Sequence, residues 1–112
     1  MLIYKIFRAD EWQQLQDNGE TDGAPIDVTD GYIHFSTAET VRETAAKHFA
    51  NEEDLVILAV ETGTIGDELK WEVSRGGALF PHLYRKLSLD DIIWEDELPL
   101  IDGTHQFPED VE

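Results

Sequence analysis

Hydrophobic residues along this chain fall into short runs that predict β-strands. The run from Leu2 to Phe7 and the run from Leu55 to Val60 are almost continuously apolar, and the second is typical of a strand buried on both faces. Between Leu69 and Val73 apolar and polar residues alternate, which indicates a strand with one polar face. Three further strands are predicted at Tyr32 to Ser36, Phe80 to Tyr84 and Ile92 to Trp94.

Two main helices are predicted between these strands. Asp10 is placed to cap a helix over residues 11–16, and residues 22–25 predict a loop. Ser36 and Glu39 have the spacing of a capping box, and the helix that follows would bury a face formed by Val41, Ala45 and Phe49. About six strands and two main helices, segregated along the chain rather than alternating, predict an α+β fold.

Length and charge narrow the classes of protein that the chain can represent. We expect the 112 residues to form one domain, 1–112, with a peripheral acidic segment at 96–112. The net charge of −17 repels phosphates, so we expect neither nucleic acid nor a membrane surface as a partner. The chain has no cysteine, which excludes disulfides and thiolate chemistry. It begins without a signal-peptide pattern, and a cytoplasmic location is the expectation.

Two histidines stand inside short aromatic runs, Gly31-Tyr32-Ile33-His34-Phe35 and Phe80-Pro81-His82-Leu83-Tyr84. An imidazole among apolar neighbours is costly unless it has a hydrogen-bonding partner, and such rings recur in clefts that bind polar ligands. We therefore expect His34 and His82 to line one cleft. A histidine bonded to backbone, with a purely structural role, is the alternative for His34, and Phe80 and Tyr84 could equally belong to the core.

Other candidate groups flank the two histidine runs. Ser36 and Thr37 stand where a strand gives way to a helix, and free N–H groups at such a junction favour an anion or a hydroxyl. Glu72 could hold a sugar hydroxyl or could be an ordinary exposed acid. The bases expected to contact phosphate, unless they pair with surface acids, are Arg75, Arg85 and Lys86. Two histidines and a carboxylate would also suit a metal ion, but the sequence shows no metal-ligand spacing.

The chain resembles the bacterial domain of unknown function 952 family over about residues 2 to 95. The residues that carry the resemblance are Tyr4-Lys5-Ile6, Trp12, Asp30-Gly31-Tyr32-Ile33-His34-Phe35-Ser36-Thr37, Asp54-Leu55, Trp71-Glu72 and Phe80-Pro81-His82-Leu83-Tyr84. That family has been grouped with the ADP-ribosyltransferase-like fold. The resemblance thus implies a split, mostly antiparallel sheet that cradles NAD in the transferases.

The same resemblance implies roles for particular residues. Transferases of this fold use a first-strand histidine or arginine, a second-strand Tyr or Ser-Thr element and a late glutamate. Ser36-Thr37 resembles the second element, and Glu72, with Glu95 as its rival, would be the glutamate. Tyr4-Lys5 stands where the first-strand histidine is expected, which is a departure from the pattern.

We therefore expect a cleft that binds a nucleotide or another sugar-containing small molecule, with NAD or an ADP-ribose-like nucleotide as the candidate cofactor. If the protein is an enzyme, the expected reaction is transfer or hydrolysis at a ribosyl centre. Two alternatives stay open, a non-catalytic binding module on the same fold and a metal-dependent hydrolase that uses His34 and His82. The expected catalytic residues are Glu72 and His34, and the expected ligand-binding residues are Ser36, Thr37, His82, Tyr84, Arg75 and Arg85.

Overall fold

The computed structural model describes residues 1–74 and 76–111. Within them the strands are β1 Leu2–Arg8, β2 Glu20–Thr21, β3 Ile33–His34, β4 Leu55–Glu61, β5 Leu69–Val73, β6 Leu79–Leu83, β7 Leu87–Ser88, β8 Ile92–Leu98, β9 Leu100–Ile101 and β10 Thr104–His105. The helices are α1 Ala9–Asn18, α2 Pro25–Asp30, α3 Val41–His48 and α4 Thr62–Ile65, with a 3₁₀ turn at Leu89–Asp91. In the described part of the chain, no helix is long and apolar enough to cross a membrane.

Two three-stranded antiparallel sheets form the body of the protein. The first, which we call the central sheet, has the order β1-β4-β8, and the second, the histidine sheet, has the order β3-β6-β5. Two short ribbons, β2-β7 and β9-β10, complete the pairing. Tyr4 and Ser36 exchange backbone hydrogen bonds of 2.8 Å in each direction, which ties the edge of the central sheet to the chain that leaves β3. The predicted α+β class is confirmed, with more and shorter strands than expected.

The central strand β4 is buried on both faces, as its sequence predicts. Leu58 and Val60 belong to a core that also contains Phe7 and Leu83, between the central sheet, α1 and the histidine sheet. On the other face, the second core holds Ile57 and Ala59 together with Val41 and Ala45 of α3. The predicted apolar face of α3 therefore packs against the central sheet.

The segment 96–112 is not wholly peripheral. Leu98 and Val111 are buried in the second core, and His105 is buried with its Nε2 2.8 Å from the carbonyl oxygen of Glu52. Leu98 ends β8 opposite Leu55, so the acidic strand still contributes an apolar side chain to the core. The described acidic residues of this segment, Asp96, Glu97, Asp102, Glu109 and Asp110, are exposed.

The helix boundaries differ from prediction for physical reasons. Ser36 does not cap α3, because its N–H and C=O are already engaged by Tyr4, and the helix begins at Val41 after Thr40. Asp10 does not cap α1; instead the carboxylate of Glu11 accepts the backbone N–H of Arg8 at 2.8 Å.

The predicted loop at residues 22–25 leads into a helix that the sequence did not indicate. Helix α2 starts with Pro25, a residue suited to the first helical position, and ends at Asp30, followed by Gly31 as a cap in the left-handed conformation. Its six residues are too short for an apolar period to be recognised.

The burial of β4 predicts a large difference between two leucine substitutions. Leu58→Ala removes a fully buried side chain and should cost about 2–5 kcal/mol of unfolding free energy. Leu79→Ala, at a side chain that is 53% exposed, should cost about 0.5 kcal/mol or less. Urea unfolding measures both, and comparable losses would contradict the assignment of β4 to the core.

Candidate functional site

The two histidines lie next to each other on the histidine sheet. His34 in β3 is directly opposite His82 in β6, and the ring centroids are 5.3 Å apart. The ring of Tyr32 stacks on His82 at 4.2 Å and lies 5.2 Å from the ring of Tyr84. We call these four side chains the histidine cluster. The two imidazoles are thus adjacent, as expected, while a cleft lined by both of them stays a prediction.

His34 is held by a buried carboxylate, that of Asp27 in α2. Oδ1 of Asp27 lies 2.6 Å from Nδ1 of the His34 ring and also accepts the backbone N–H of His34 at 3.1 Å. Oδ2 accepts the Nζ of Lys5 and the backbone N–H of Ala24, each at 2.7 Å. The carboxylate has four donors and no solvent exposure, so its charge is fully satisfied inside the protein.

The pKa of the Asp27 carboxyl depends both on its burial and on its hydrogen-bonding partners. Burial acts to raise the pKa of Asp27, but the hydrogen bonds of His34 and the charge of Lys5 outweigh it, and the pKa lies below its usual value. Burial also lowers the pKa of Lys5, while Asp27 acts in the opposite direction. Asp27 is therefore ionised at neutral pH.

Close packing at Gly23 shows how tightly Asp27 is enclosed. Gly23 has a φ of +101°, and a Cβ at this position would lie 2.4 Å from Oδ2 of Asp27. Only glycine fits both the backbone conformation and the space.

His82 is oriented by a second carboxylate, that of Glu72 in β5. Oε1 of Glu72 lies 2.8 Å from Nδ1 of His82 and accepts the hydroxyl of Tyr84 at 2.6 Å. This hydrogen bond raises the pKa of Tyr84 to about 12, and together with the bond from His82 it holds the pKa of Glu72 below its usual range. His82 is buried, whereas Glu72 and Tyr84 are partly exposed.

Each imidazole therefore has its Nδ1 bonded to a carboxylate. A carboxylate only accepts hydrogen bonds, so Nδ1 donates and the orientation of each ring is fixed. Oε2 of Glu72 accepts no hydrogen bond from the described residues, and Tyr84 offers a phenol face beside it. The arrangement can donate and accept hydrogen bonds and can stack against a flat group.

A known protein family matches a stretch of the chain that contains the histidine cluster. The family model "Protein of unknown function (DUF952)" matches residues 6–95. The chain belongs to this family. No curated protein matches it.

Solved structures resemble this DUF952 chain over nearly its whole length. The crystal structure of protein CC0527 from Caulobacter crescentus is 46% identical, has a TM-score of 0.94, and the match covers 99% of this chain and 98% of that chain. The solution NMR structure of CC0527 has a TM-score of 0.83 at 46% identity, with 93% and 90% of the two chains covered. The similarity extends to the α+β architecture described above.

The hydroxyls of Ser36 and Thr37 in this DUF952 chain bond to threonines of α3 and of the turn before it. The Ser36 hydroxyl lies 3.0 Å from the hydroxyl of Thr44 in α3. The backbone N–H of Thr37 is already bonded to the Thr40 hydroxyl at 3.0 Å. The free N–H groups on which the anion-binding expectation depended are therefore partly used within the turn.

The expected phosphate contacts are mostly paired with acids. Arg85 binds Asp91 through both terminal nitrogens, at 2.8 and 3.0 Å, and Lys86 pairs with Asp22 at 3.1 Å. Arg75 lies outside the described residues. Arg85 and Lys86 nevertheless line an open cleft of about 210 Å³, together with residues that include Tyr32 and Tyr84 of the histidine cluster.

A metal site is not built from the residues that the structure describes. Among residues 1–74 and 76–111, no three His, Asp or Glu side chains are grouped to hold an ion. The Nδ1 atoms of both histidines already face carboxylates.

Asp27 and the contacts that Lys5 and Asp30 make in the site were not predicted from the sequence. Lys5 stands between the buried residues Ile3 and Phe7 on one face of β1, and a charge inside the apolar run Leu2 to Phe7 was the available signal. Asp27 could not be found, because its role depends on the unpredicted helix α2.

The Asp27 pair predicts a stability difference that depends on pH. Asp27→Asn leaves Lys5 buried without its counter-charge and should cost about 3–5 kcal/mol at pH 7. The pKa of Asp27 is lowered in the folded state, so its contribution is present above the ordinary carboxyl pKa of about 4 and is lost as pH falls through the folded value. The difference from wild type should therefore shrink in acid. Urea unfolding between pH 7 and pH 2 measures it, with the exposed Asp67→Asn as control, and a gap that does not change with pH would refute the pairing.

The close packing around Gly23 predicts a difference in stability between two glycine-to-alanine variants. Gly31→Ala places a side chain at a φ of +86° with no atom within 4 Å, and should cost about 1 kcal/mol from backbone strain alone. Gly23→Ala adds the clash with Asp27 and should cost about 2–4 kcal/mol in total. Equal thermal midpoints for the two variants would show that Asp27 is not confined by this loop.

Proposed function

We propose that this protein binds a nucleotide or a related ribose-containing small molecule at the histidine cluster. The observation that carries the proposal is the pair of carboxylate-oriented imidazoles, whose rings lie 5.3 Å apart beside two tyrosines. Ring nitrogens, a phenol and a carboxylate suit the hydroxyls of a sugar, and the tyrosine faces suit a planar base. Binding sites commonly combine an apolar wall with a few fixed polar groups in this way.

An ADP-ribosyltransferase-like arrangement of the sheet is part of the proposal. Its support is the presence of two three-stranded antiparallel sheets, joined at the Tyr4–Ser36 bridge rather than merged into one. A ligand seated on the histidine sheet would lie close to this junction, since Ser36 follows His34 by two residues.

Glu72 is the glutamate that we assign to the ligand. It contacts His82 and Tyr84, whereas its rival Glu95 lies opposite Leu58 in the central sheet. If the ligand reacts at its ribosyl centre, by transfer or hydrolysis, an ionised Glu72 would stabilise the positive charge that develops there. The hydrogen bonds from Tyr84 and His82 favour that ionised form.

A non-catalytic binding module is the second candidate, and Lys5 favours it. Lys5 stands where the family resemblance predicts a ligand-binding residue on the first strand, but its ammonium group is buried and bonded to Asp27. The first strand thus offers a structural cation in place of a ligand contact. In this case the cluster would bind the ligand without converting it.

Ligand screening with matched variants tests the proposal. ADP-ribose, NAD and adenosine should raise the thermal midpoint of the wild type, because a ligand that binds only the folded state stabilises it. Glu72→Gln should bind the effective ligand about tenfold or more weakly, a loss of about 1.4 kcal/mol or more in binding. The control is Glu95→Gln, which changes an exposed acid of β8. This variant should bind the ligand like the wild type.

Three outcomes separate the candidates. Nicotinamide release from bound NAD would favour the enzyme, and binding without turnover would favour the module. A midpoint that rises with zinc or manganese but with no nucleotide would favour the metal-dependent alternative. If no nucleotide shifts the midpoint or the NMR signals of His34 and His82 at saturating concentration, the proposal is wrong.

A further inference from the structure

His34 contacts a carboxylate at each of its two ring nitrogens. Nδ1 lies 2.6 Å from Oδ1 of Asp27, and Nε2 lies 3.0 Å from Oδ2 of Asp30. Asp30 is the last residue of α2, four positions before His34. The role assigned to His34 above uses the Nδ1 contact and leaves the Nε2 contact unexplained.

The two carboxylates are held very differently. Asp27 is fully buried and accepts four hydrogen bonds, so displacing its side chain would leave four buried donors without an acceptor. The side chain of Asp30 is 37% exposed. An acid at the C-terminal end of a helix is also disfavoured by the helix dipole, and a solvent-exposed ion pair adds little stability. Asp30 is therefore the carboxylate that can leave.

From the interior to the surface, basic and acidic groups alternate in the order Lys5, Asp27, His34 and Asp30. Since a carboxylate only accepts, the contact of Nε2 with a carboxylate or with another anionic oxygen needs a proton on that nitrogen. Without Asp30, Nε2 of this partly exposed ring has no other hydrogen-bonding or ion-pair partner among the described residues. The chain as a whole has a net charge of −17, so an anion needs a local hydrogen-bond donor in order to bind. The N–H form of Nε2 would be such a donor.

We infer that Nε2 of His34 is a binding point for an anionic ligand oxygen, and that Asp30 occupies this point in the free protein. The ligand's phosphate or carboxylate group would displace the Asp30 side chain and accept the Nε2–H in its place. This inference rests on the proposed function, because it adds an anionic group to the ligand of the same cluster. It gives Asp30 the role of an internal competitor, opposite in effect to Asp27.

Anion titration of two charge-matched variants tests the inference. Inorganic phosphate and, separately, acetate are added to wild type, Asp30→Asn and Asp17→Asn, and binding is followed by the ring ¹H–¹⁵N signals of His34. Asp17 is an exposed acid near the end of α1, so its variant removes the same charge elsewhere on the surface. If Asp30 occupies Nε2 most of the time, its removal should lower the half-saturating phosphate concentration by about tenfold. Asp17→Asn should stay within about twofold of wild type at 0.15 M salt, because screening limits the effect of distant charges.

Each result decides the inference independently of the proposed function. Equal behaviour of the two variants, or a His34 signal that responds to neither anion in Asp30→Asn, would overturn it. A response to phosphate alone would support a phosphorylated ligand, and equal responses to phosphate and acetate would support any anionic oxygen. Failure of the proposed function would give a different result. ADP-ribose would then leave the thermal midpoint of the wild type unchanged, while Asp30→Asn would still bind phosphate.

Discussion

The buried carboxylate of Asp27 is the constraint on which the candidate site depends. It joins Lys5 of the central sheet to His34 of the histidine sheet, and it also accepts the N–H of Ala24 at the start of α2. A charge without solvent exposure is tolerated only when every lone pair has a donor, and here four donors are supplied by three parts of the chain. The orientation of His34 is therefore tied to the packing of both sheets.

Much of the fold could be predicted because its main elements have strong periodicity. The continuous apolar run of β4 and the alternation along β5 each indicated a strand, and the structure has both. Short elements were not predictable: α2 has six residues, and β9 and β10 have two each, too few for any period. The cap assigned to Ser36 was wrong because a tertiary contact with Tyr4 engages the same backbone groups.

The residues of the candidate site also differ in how far the sequence indicated them. His34 and His82 stood out because an ionisable ring between apolar residues is visible in the sequence, and strand pairing places the two rings together. Glu72 could be suggested from the alternation of β5, although its bonds to His82 and Tyr84 could not. Asp27 and Asp30 were not recognised, because their contacts arise only when α2 folds back onto β3. The polar partners that orient the rings are thus tertiary features, which local pattern does not encode.

A double-mutant cycle between Lys5 and Asp27 tests the central claim most directly. The variants are Lys5→Met, Asp27→Asn and the combination, and the free energy of unfolding of each is measured in urea at pH 7. If the two groups form one buried pair, either single change leaves a partner uncompensated, and the double variant should be more stable than the sum predicts by about 2 kcal/mol or more. Additive losses would contradict the account, since they would mean that Lys5 and Asp27 act independently and do not form one buried pair.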